Sequence, residues 1–495
     1  MKRLLTLLLV LAFVLGFATA ALGEGKHPMR YVTPGNYYSD NDAALKAIND
    51  KLEADGVDIE VSFIRIPWDA YNERINAMLA TGEPFELLHV MQDVKNLTSI
   101  ASMDAIIPIE KYLPNYPVLM EMFSETDWTA GMYKGEIYAV PAKWKDFSRL
   151  YGYMFARGDL ITKHFEGRYP ETAEELLEYF AVLQPVIEEE TGVKPYMWLH
   201  NIRHAPAFLH RTYDTWPFYV EMSQGFALVR QDGTIDSYYE SEEFKKDAEF
   251  FKTLYDNGYI HPDILSMPME YKNDMAALGA VLPCPTFNHT TDYAMQKNIP
   301  EAYMEFFMLS PEKIKLIYTL AQNLNAISAT AEDPESGLKF LNWLYADKTN
   351  HDLFHWGVEG VHYTASDPSR YNYIEGADGQ PLYTFDTWMS GYMGFMRYDE
   401  NYSDAGVEYD QVPLPDDEVV YTPAAAFLFD ATEIAMELAN MEAELIASMF
   451  PIRFGLVSYE EGYADAIAKL KAAGLDTYME EYRRQFAEYQ ASMGQ

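Results

Sequence analysis

Seven aromatic side chains fall in or beside predicted loops: Tyr37, Trp68, Trp144, Trp198, Trp216, Trp356 and Trp388. The polar residues Asn36, Gln92, Asp93, Lys143, Asp146, His200 and Arg370 lie near them in sequence or in expected position. Flat apolar rings edged by hydrogen-bonding groups suit a ligand with one apolar face and a polar rim. Motifs of stronger catalytic signature are missing: there is no HExxH, no GxSxG and no Walker-type phosphate loop. His200 and His204 are four residues apart, as two metal ligands on one helix face would be, but no third ligand of suitable spacing accompanies them. No metal, cofactor or catalytic residue is therefore expected.

Several elements must position these side chains. "MRYVT" reads as a short strand ended by Pro34-Gly35, and "DAALKAINDKLEADG" places Leu45, Ile48 and Leu52 at helical spacing before Gly56. The unit repeats: Val57, Ile59, Val61 and Phe63 alternate through a second strand, and Ile75, Met78 and Leu79 share one face of the next helix. "FELLHV" is a third strand, followed by the polar loop Met91-Gln92-Asp93. Strands alternating with helices favour a parallel sheet, whose strand-end loops all lie on one side and form the ligand crevice. That rule draws together Tyr37, Trp68, Asp69, Gln92 and Asp93, although Asp69 is equally suited to cap the helix after it.

"MYKGEIYAVPAKWKD" reads as a hairpin turning at Lys134-Gly135, a strand to Val140, and a break at Pro141 where a lobe boundary fits. Beyond it "LYGYMFARGDL" is strand-like, and Thr172 with Glu175 fits a capping box. Tyr213, Trp216, Phe218 and Tyr219 crowd a later loop. "NLNAISA" resembles a returning strand, and the helix after it places Leu338, Leu341, Trp343 and Leu344 on one face, which assigns Trp343 to a core. The last sixty-odd residues are strongly helical, and no short repeat or low-complexity tract appears.

A chain of 495 residues exceeds one compact core and predicts two or more lobes. Hydrophobic residues at 49% and charged residues at 23% are ordinary globular usage. Lys and Arg number 37 against 76 Asp and Glu, a formal charge of −39 that repels nucleic acid and anionic lipid alike. The single cysteine, Cys284, cannot form an intramolecular disulfide and reads as a small core residue. Lys2 and Arg3, the apolar run Leu4 to Phe17, and Ala18-Thr19-Ala20 read as a secretory signal peptide, with the mature chain beginning near Ala21. The apolar run is followed by no cysteine, so no lipid anchor on an N-terminal cysteine is expected. The expected location is extracytoplasmic.

"YVTPGN", "MLATGEPFELLHV", "IPIEKYLPNY", "YKGEIYAVP", "MFARGDLI" and "GLKFLNWLYADKTNHDLFHWGVEGVHYT" together resemble successive segments of extracellular solute-binding protein family 1, the substrate-binding subunits of bacterial ABC importers. "KLKAAGLDTYMEEYRRQFAEYQ" is similar to the helical C-terminal domain of a lipoprotein-like subgroup, whose anchoring cysteine this sequence lacks. The resemblance covers the mature chain. It implies an α/β fold of the periplasmic-binding-protein kind, with two lobes closing by a hinge over an interlobe cleft. It implies a carbohydrate ligand, docking to membrane permease subunits, and no chemistry on the solute. A monomer without nucleic-acid partners is expected. On this reading residues 1–20 are signal peptide, and 21–140 plus about 322–372 form one lobe. Residues 141–321 plus about 373–430 form the other, and 431–495 are a helical C-terminal segment.

A pyranose has an apolar C–H face and a rim of hydroxyls. Burying roughly 60 Å² of that face contributes about 1.5 kcal/mol. Neutral hydrogen bonds add about 1 kcal/mol each, while association costs at least about 4 kcal/mol. Two or three stacks with several polar contacts are therefore needed for micromolar affinity, about −8 kcal/mol. The candidate aromatic and polar residues supply that material. A secreted glycoside hydrolase would share the location and the aromatics, and a peptide- or cation-binding surface protein would share the aromatic cleft. Hydrolysis needs two carboxyl groups about 5 to 9.5 Å apart, but among 76 acidic residues some pair meets any loose spacing.

Overall fold

The computed structural model describes residues 26–492 except 93, 145–148, 198–203, 223, 286–288, 401, 403–406 and 408–413. The predicted signal peptide lies outside the described residues, as do Asp93, Asp146, Trp198 and His200.

The first lobe is built on a five-stranded sheet of β1 (His27–Pro34), β2 (Ile59–Ile66), β3 (Leu87–Met91), β4 (Ala139–Pro141) and β5 (Asn323–Ile327), in the order β2-β1-β3-β5-β4. β1 runs parallel to β2 from His27↔Ile59 to Pro34↔Ile66, and parallel to β3. β5 is antiparallel to β3 and to β4, because the chain re-enters this sheet after leaving it through β4. Alternate residues of β1 feed two cores, Met29 and Tyr31 on one face and Val32 on the other, as in a sheet covered on both sides. Helix Asn41–Ala54 buries Ala44, Ile48 and Leu52, and helix Tyr71–Thr81 buries Tyr71, Ile75 and Met78. The second helix ends at Gly82, whose φ of 65° is the left-handed conformation of a helix stop. Its N-cap position is Ala70, so Asp69 sits one residue too early for the cap expected of it, inside the 3₁₀ turn Trp68–Ala70. The hairpin at Lys134-Gly135 is present, with φ of 50° and 84° at its two central residues.

The second lobe has one large core. Met154–Arg157 pairs with Met304–Phe307, Leu150–Tyr151 pairs with Lys315–Ile317, and the latter runs parallel to Val419–Tyr421. Phe218–Val220, Ala227–Arg230 and Ile235–Ser237 form an antiparallel meander. Cys284 is buried in this core. Thr172 caps helix Ala173–Thr191 by accepting from the Glu175 amide, but the Glu175 carboxylate accepts from the Glu171 amide at 2.8 Å, so the expected reciprocal box is only half formed.

One boundary differs from the sequence reading. Tyr383, Phe385 and Met389 pack with Tyr31, Phe63 and Phe354 in the first lobe, so this lobe extends well past the expected limit near 372. The physical reason is aromatic: Phe385 meets Phe63, Tyr31 and Phe354 at centroid distances of 5.2, 5.5 and 4.5 Å. The C-terminal segment expected to be helical contains helices Tyr459–Ala473 and Leu475–Ser492, which pack on the second lobe. Tyr478, Tyr482 and Phe486 enter the second lobe's core, with Tyr478 meeting Phe226 at 4.9 Å and donating its hydroxyl to Glu221 at 3.2 Å.

Candidate functional site

The carboxyl ends of β1 and β2 present an aromatic platform. Trp68 follows β2 after Pro67, is 51% exposed, and stacks on Trp388 with ring centroids 6.0 Å apart and planes at 28°. Trp388 rests in turn on the edge of His89 at 5.0 Å. Burial lowers the His89 pKa to about 4, so this ring is neutral at physiological pH. The segment carrying Trp388 is fixed to helix Lys348–Trp356 by two histidines. His355 Nδ1 bonds the Phe385 carbonyl at 2.9 Å, and His351 Nε2 accepts the Tyr392 amide at 3.1 Å.

Next to the platform, the guanidinium of Arg65 is 7% exposed and lies 4.8 to 5.6 Å from the rings of Phe385, Phe63 and Tyr38. Its nitrogens donate to the carbonyls of Asn36 at 3.0 Å and Thr384 at 3.1 Å, which ties the loop after β1 to the segment before Trp388. Asp386, partly buried, lies in the field of Arg65, yet burial outweighs that attraction and raises its pKa. Sequence reasoning missed Tyr38, Arg65 and Asp386. Asp386 joins the others only through a fold contact across three hundred residues, and no spacing rule signals it.

A second feature lies where the chain crosses between lobes. Pro141, Ala142, Lys143, Trp144 and Arg149 from one crossing, and Leu320, Ala321, Gln322 and Asn323 from the other, line a recess with Asp127 at its side. Its empty volume is about 340 Å³, most of it open solvent at the mouth, and the enclosed part holds little more than one water molecule. Lys143 Nζ pairs with Asp127 at 3.1 Å, and Asp127 also accepts from the Ser124 amide and hydroxyl, which with Lys143 hold its carboxyl below the usual range. Lys143 also accepts the Met393 amide on its carbonyl at 2.8 Å, so the strip from Trp388 to Met393 leads from the platform to this recess.

The sequence candidates divide accordingly. Trp68 and Trp388 meet at the platform, while Lys143 and Trp144 line the recess, whose walls do not include Trp68. Asn36 and Tyr37 are exposed at the same sheet edge, and Tyr37 donates its hydroxyl to the Phe63 carbonyl at 2.8 Å. Gln92 is turned inward: its Oε1 accepts the Leu97 amide at 3.1 Å at the start of a short helix. Three candidates belong elsewhere. Trp356 is 2% exposed in a small core with Tyr363 and Tyr371. Arg370 is 9% exposed and holds the carbonyls of Asp399 and Tyr402 at 3.0 and 2.6 Å. Trp216 packs against Tyr151 in the second lobe and donates its indole N–H to the Ile314 carbonyl at 2.9 Å. Each is large and amphipathic, and in each case a backbone carbonyl or a ring stack satisfies it inside the protein. Among the described residues no cluster of three or more His, Cys, Asp or Glu could hold a metal.

Residues 47–366 match the family model for bacterial extracellular solute-binding proteins. The chain belongs to that family. Residues 423–491 match a second model, described as a domain of unknown function, which covers the helices packed into the second lobe. No relative among curated proteins matches the sequence. Among solved structures, the fold is similar to an N-glycan transport solute-binding protein of Streptococcus pneumoniae, at 17% identity and TM-score 0.72 over 94% of this chain and 99% of that one. It is also similar to the S. pneumoniae ABC-transporter substrate-binding protein FusA solved with kestose, at 14% identity and TM-score 0.59 over 94% and 100%. The alginate-binding protein AlgQ2 aligns at 14% identity and TM-score 0.58 over 95% and 99%. These likenesses establish the two-lobed α/β solute-binding fold for this family member. Among the described residues no helix is long and apolar enough to cross a membrane.

Proposed function

We propose that the chain is the extracytoplasmic receptor of an ABC importer and captures a carbohydrate in the cleft between its lobes, releasing it unaltered to membrane permease subunits. The observation that carries this reading is the Trp68–Trp388 pair, with one indole half exposed at the strand ends of the first lobe and supported from behind by a second. An exposed, prebuilt aromatic face costs little to order and gains most from a ring with an apolar side, as a pyranose has. The proteins of similar fold that were solved with N-glycan fragments and with kestose support the same ligand class. Binding by one chain, without self-association, is part of the proposal. Closure is stabilised only when both lobes touch the ligand, so the platform and the recess beside Trp144 act as two ends of one site.

Calorimetry against a panel of oligosaccharides, with chromatography of the incubated sugars, tests it. The expected result is micromolar or tighter binding with every glycosidic bond intact. Cleavage of any panel member would overturn the receptor reading, and binding confined to peptides would overturn the sugar assignment.

A further inference from the structure

Asp386 occupies the N-cap position of the short helix Thr387–Ser390, where an aspartate ordinarily accepts a backbone amide, but its side chain makes no cap hydrogen bond. Among the described residues no donor bonds its carboxylate at all, and the nearest cation is turned to protein groups: two Arg65 nitrogens bond the Asn36 and Thr384 carbonyls, and its buried Nε reaches no acceptor, Asp386 included. The Tyr38 phenol lies in the field of this carboxylate and likewise has no hydrogen-bond partner among the described residues. Asp386 is partly buried, two residues before Trp388, and Tyr38 follows the exposed loop residue Tyr37. A carboxylate and a phenol left without partners at the edge of an aromatic platform form an acceptor and a donor waiting for ligand hydroxyls.

We propose that Asp386, with Tyr38 beside it, determines specificity in this cleft by accepting hydrogen bonds from the hydroxyls of an uncharged saccharide and rejecting one that carries a carboxylate. The inference rests on the reading of the cleft as a carbohydrate site and deepens it to a charge class. The groups facing Asp386 are Arg65 from β2, Tyr38 from the loop after β1, and Tyr373 from strand Arg370–Tyr373. The Tyr373 hydroxyl is already bonded to Thr384 at 3.1 Å. No free cation in that set could meet a ligand carboxylate, whereas two like charges in a partly buried site repel strongly. By contrast, sugar hydroxyls donated to an ionised acceptor form the stronger, charge-assisted kind of hydrogen bond.

The test uses matched pairs: neutral gluco-, manno- and fructo-oligosaccharides, each beside a counterpart of the same linkage oxidised to the carboxylate at one primary alcohol. Calorimetry on the wild-type chain at pH 7.5 should give a neutral member bound at least about 30-fold more tightly than its oxidised partner, since each tenfold step is about 1.4 kcal/mol. Lowering the pH to 4.5 should narrow that ratio in the wild-type chain, because the raised pKa brings Asp386 toward its neutral form while the ligand carboxylate stays charged. Asp386→Asn should bring the ratio below about threefold at pH 7.5, and Tyr38→Phe should weaken both members of a pair alike. Preference for the oxidised member, or a ratio untouched by both Asp386→Asn and acid, overturns the charge-class inference and leaves the sugar reading standing. If the wild-type chain binds no member of any pair, both fail together.

Discussion

Trp388 is held between two rings, stacked on Trp68 at 6.0 Å and seated on the edge of His89 at 5.0 Å. Of the two indoles Trp68 is the exposed one, at 51%, and it has few protein contacts to lose. Trp68→Ala is therefore expected to weaken ligand binding by about 1 to 3 kcal/mol while leaving the urea unfolding midpoint nearly unchanged. Trp388→Ala should weaken binding comparably and also lower stability, because it removes the support beneath Trp68 and uncovers His89. Calorimetry and urea denaturation on both variants distinguish the two roles. Equal stability loss in both would remove Trp68 from the binding face.

The lobes also touch away from the crossings. Lys297, on helix His289–Asn298 of the second lobe, pairs with Glu375 of the first at 2.9 Å and bonds the Gly379 carbonyl in the same turn. Both side chains are over a third exposed, so the pair contributes only about 0 to 1 kcal/mol. That is too little to hold the lobes shut without ligand but enough to slow reopening. Lys297→Ala should raise the ligand off-rate up to about fivefold in stopped-flow, with a smaller change in on-rate. High salt should reproduce the effect in the wild-type chain. An unchanged off-rate would exclude the clasp from closure.

Much of the first lobe is legible in the sequence because its determinants are local. The alternation in "VDIEVSF" and the helical spacing of Ile48 and Leu52 state which face is buried, and one strand-end rule then gathers Trp68 and the residues after β1. What is not legible depends on contacts between distant segments. Nothing near Asp386 signals that Phe385 will pack between Tyr31 and Phe354, so the chain's return to the first lobe beyond residue 372 has no local signature. Trp216, Trp356 and Arg370 show the converse limit. Amphipathic side chains look the same in sequence whether the polar end meets a ligand or a backbone carbonyl.

Arg211 offers a direct check on that distinction. It is fully buried, stacks on Trp216 at 5.2 Å, and donates to the carbonyls of Leu309, Ser310, Lys313 and Ile314 at 2.9 to 3.2 Å. Carbonyl dipoles of one loop help to stabilise its charge. Arg211→Met would leave several of those acceptors without donors, at about 1 to 3 kcal/mol for each group that water cannot reach. The expected outcome is a loss of at least about 3 kcal/mol in urea unfolding. Trp216→Phe should cost less, and neither change should alter ligand affinity more than about twofold. A large affinity loss in Trp216→Phe would return that residue to the binding site.

Acid should destabilise this fold in a window set by buried histidines. His89, His351 and His355 all have folded pKa values below 6.5, chiefly because burial penalises the charged ring, and for His89 the value is about 4. From about pH 7.5 upward each ring is nearly all neutral in both states and contributes little pH dependence. Below 6.5 the unfolded chain takes up protons that the folded chain refuses, so stability falls as pH falls, until the folded pKa is reached. For His89 the loss reaches about 2 kcal/mol by pH 5. Carboxylates with depressed values, such as Glu243 at about 2 beside Arg230, act in the same direction but only below about pH 4.5. Urea unfolding at pH 7.5, 6.0 and 5.0 therefore reads the histidines separately. His89→Asn should flatten the decline between pH 6.5 and 5 by about its share. Ligand affinity of the folded chain should hold over the same range, because His351 and His355 stay neutral there, and should fall only once the pH drops below their lowered folded values, where a protonated His351 could no longer accept the Tyr392 amide and the strip that carries Trp388 would be released. A stability curve flat from pH 7.5 to 5 would mean that these rings are not buried neutral, and the support proposed for the platform would fail with it.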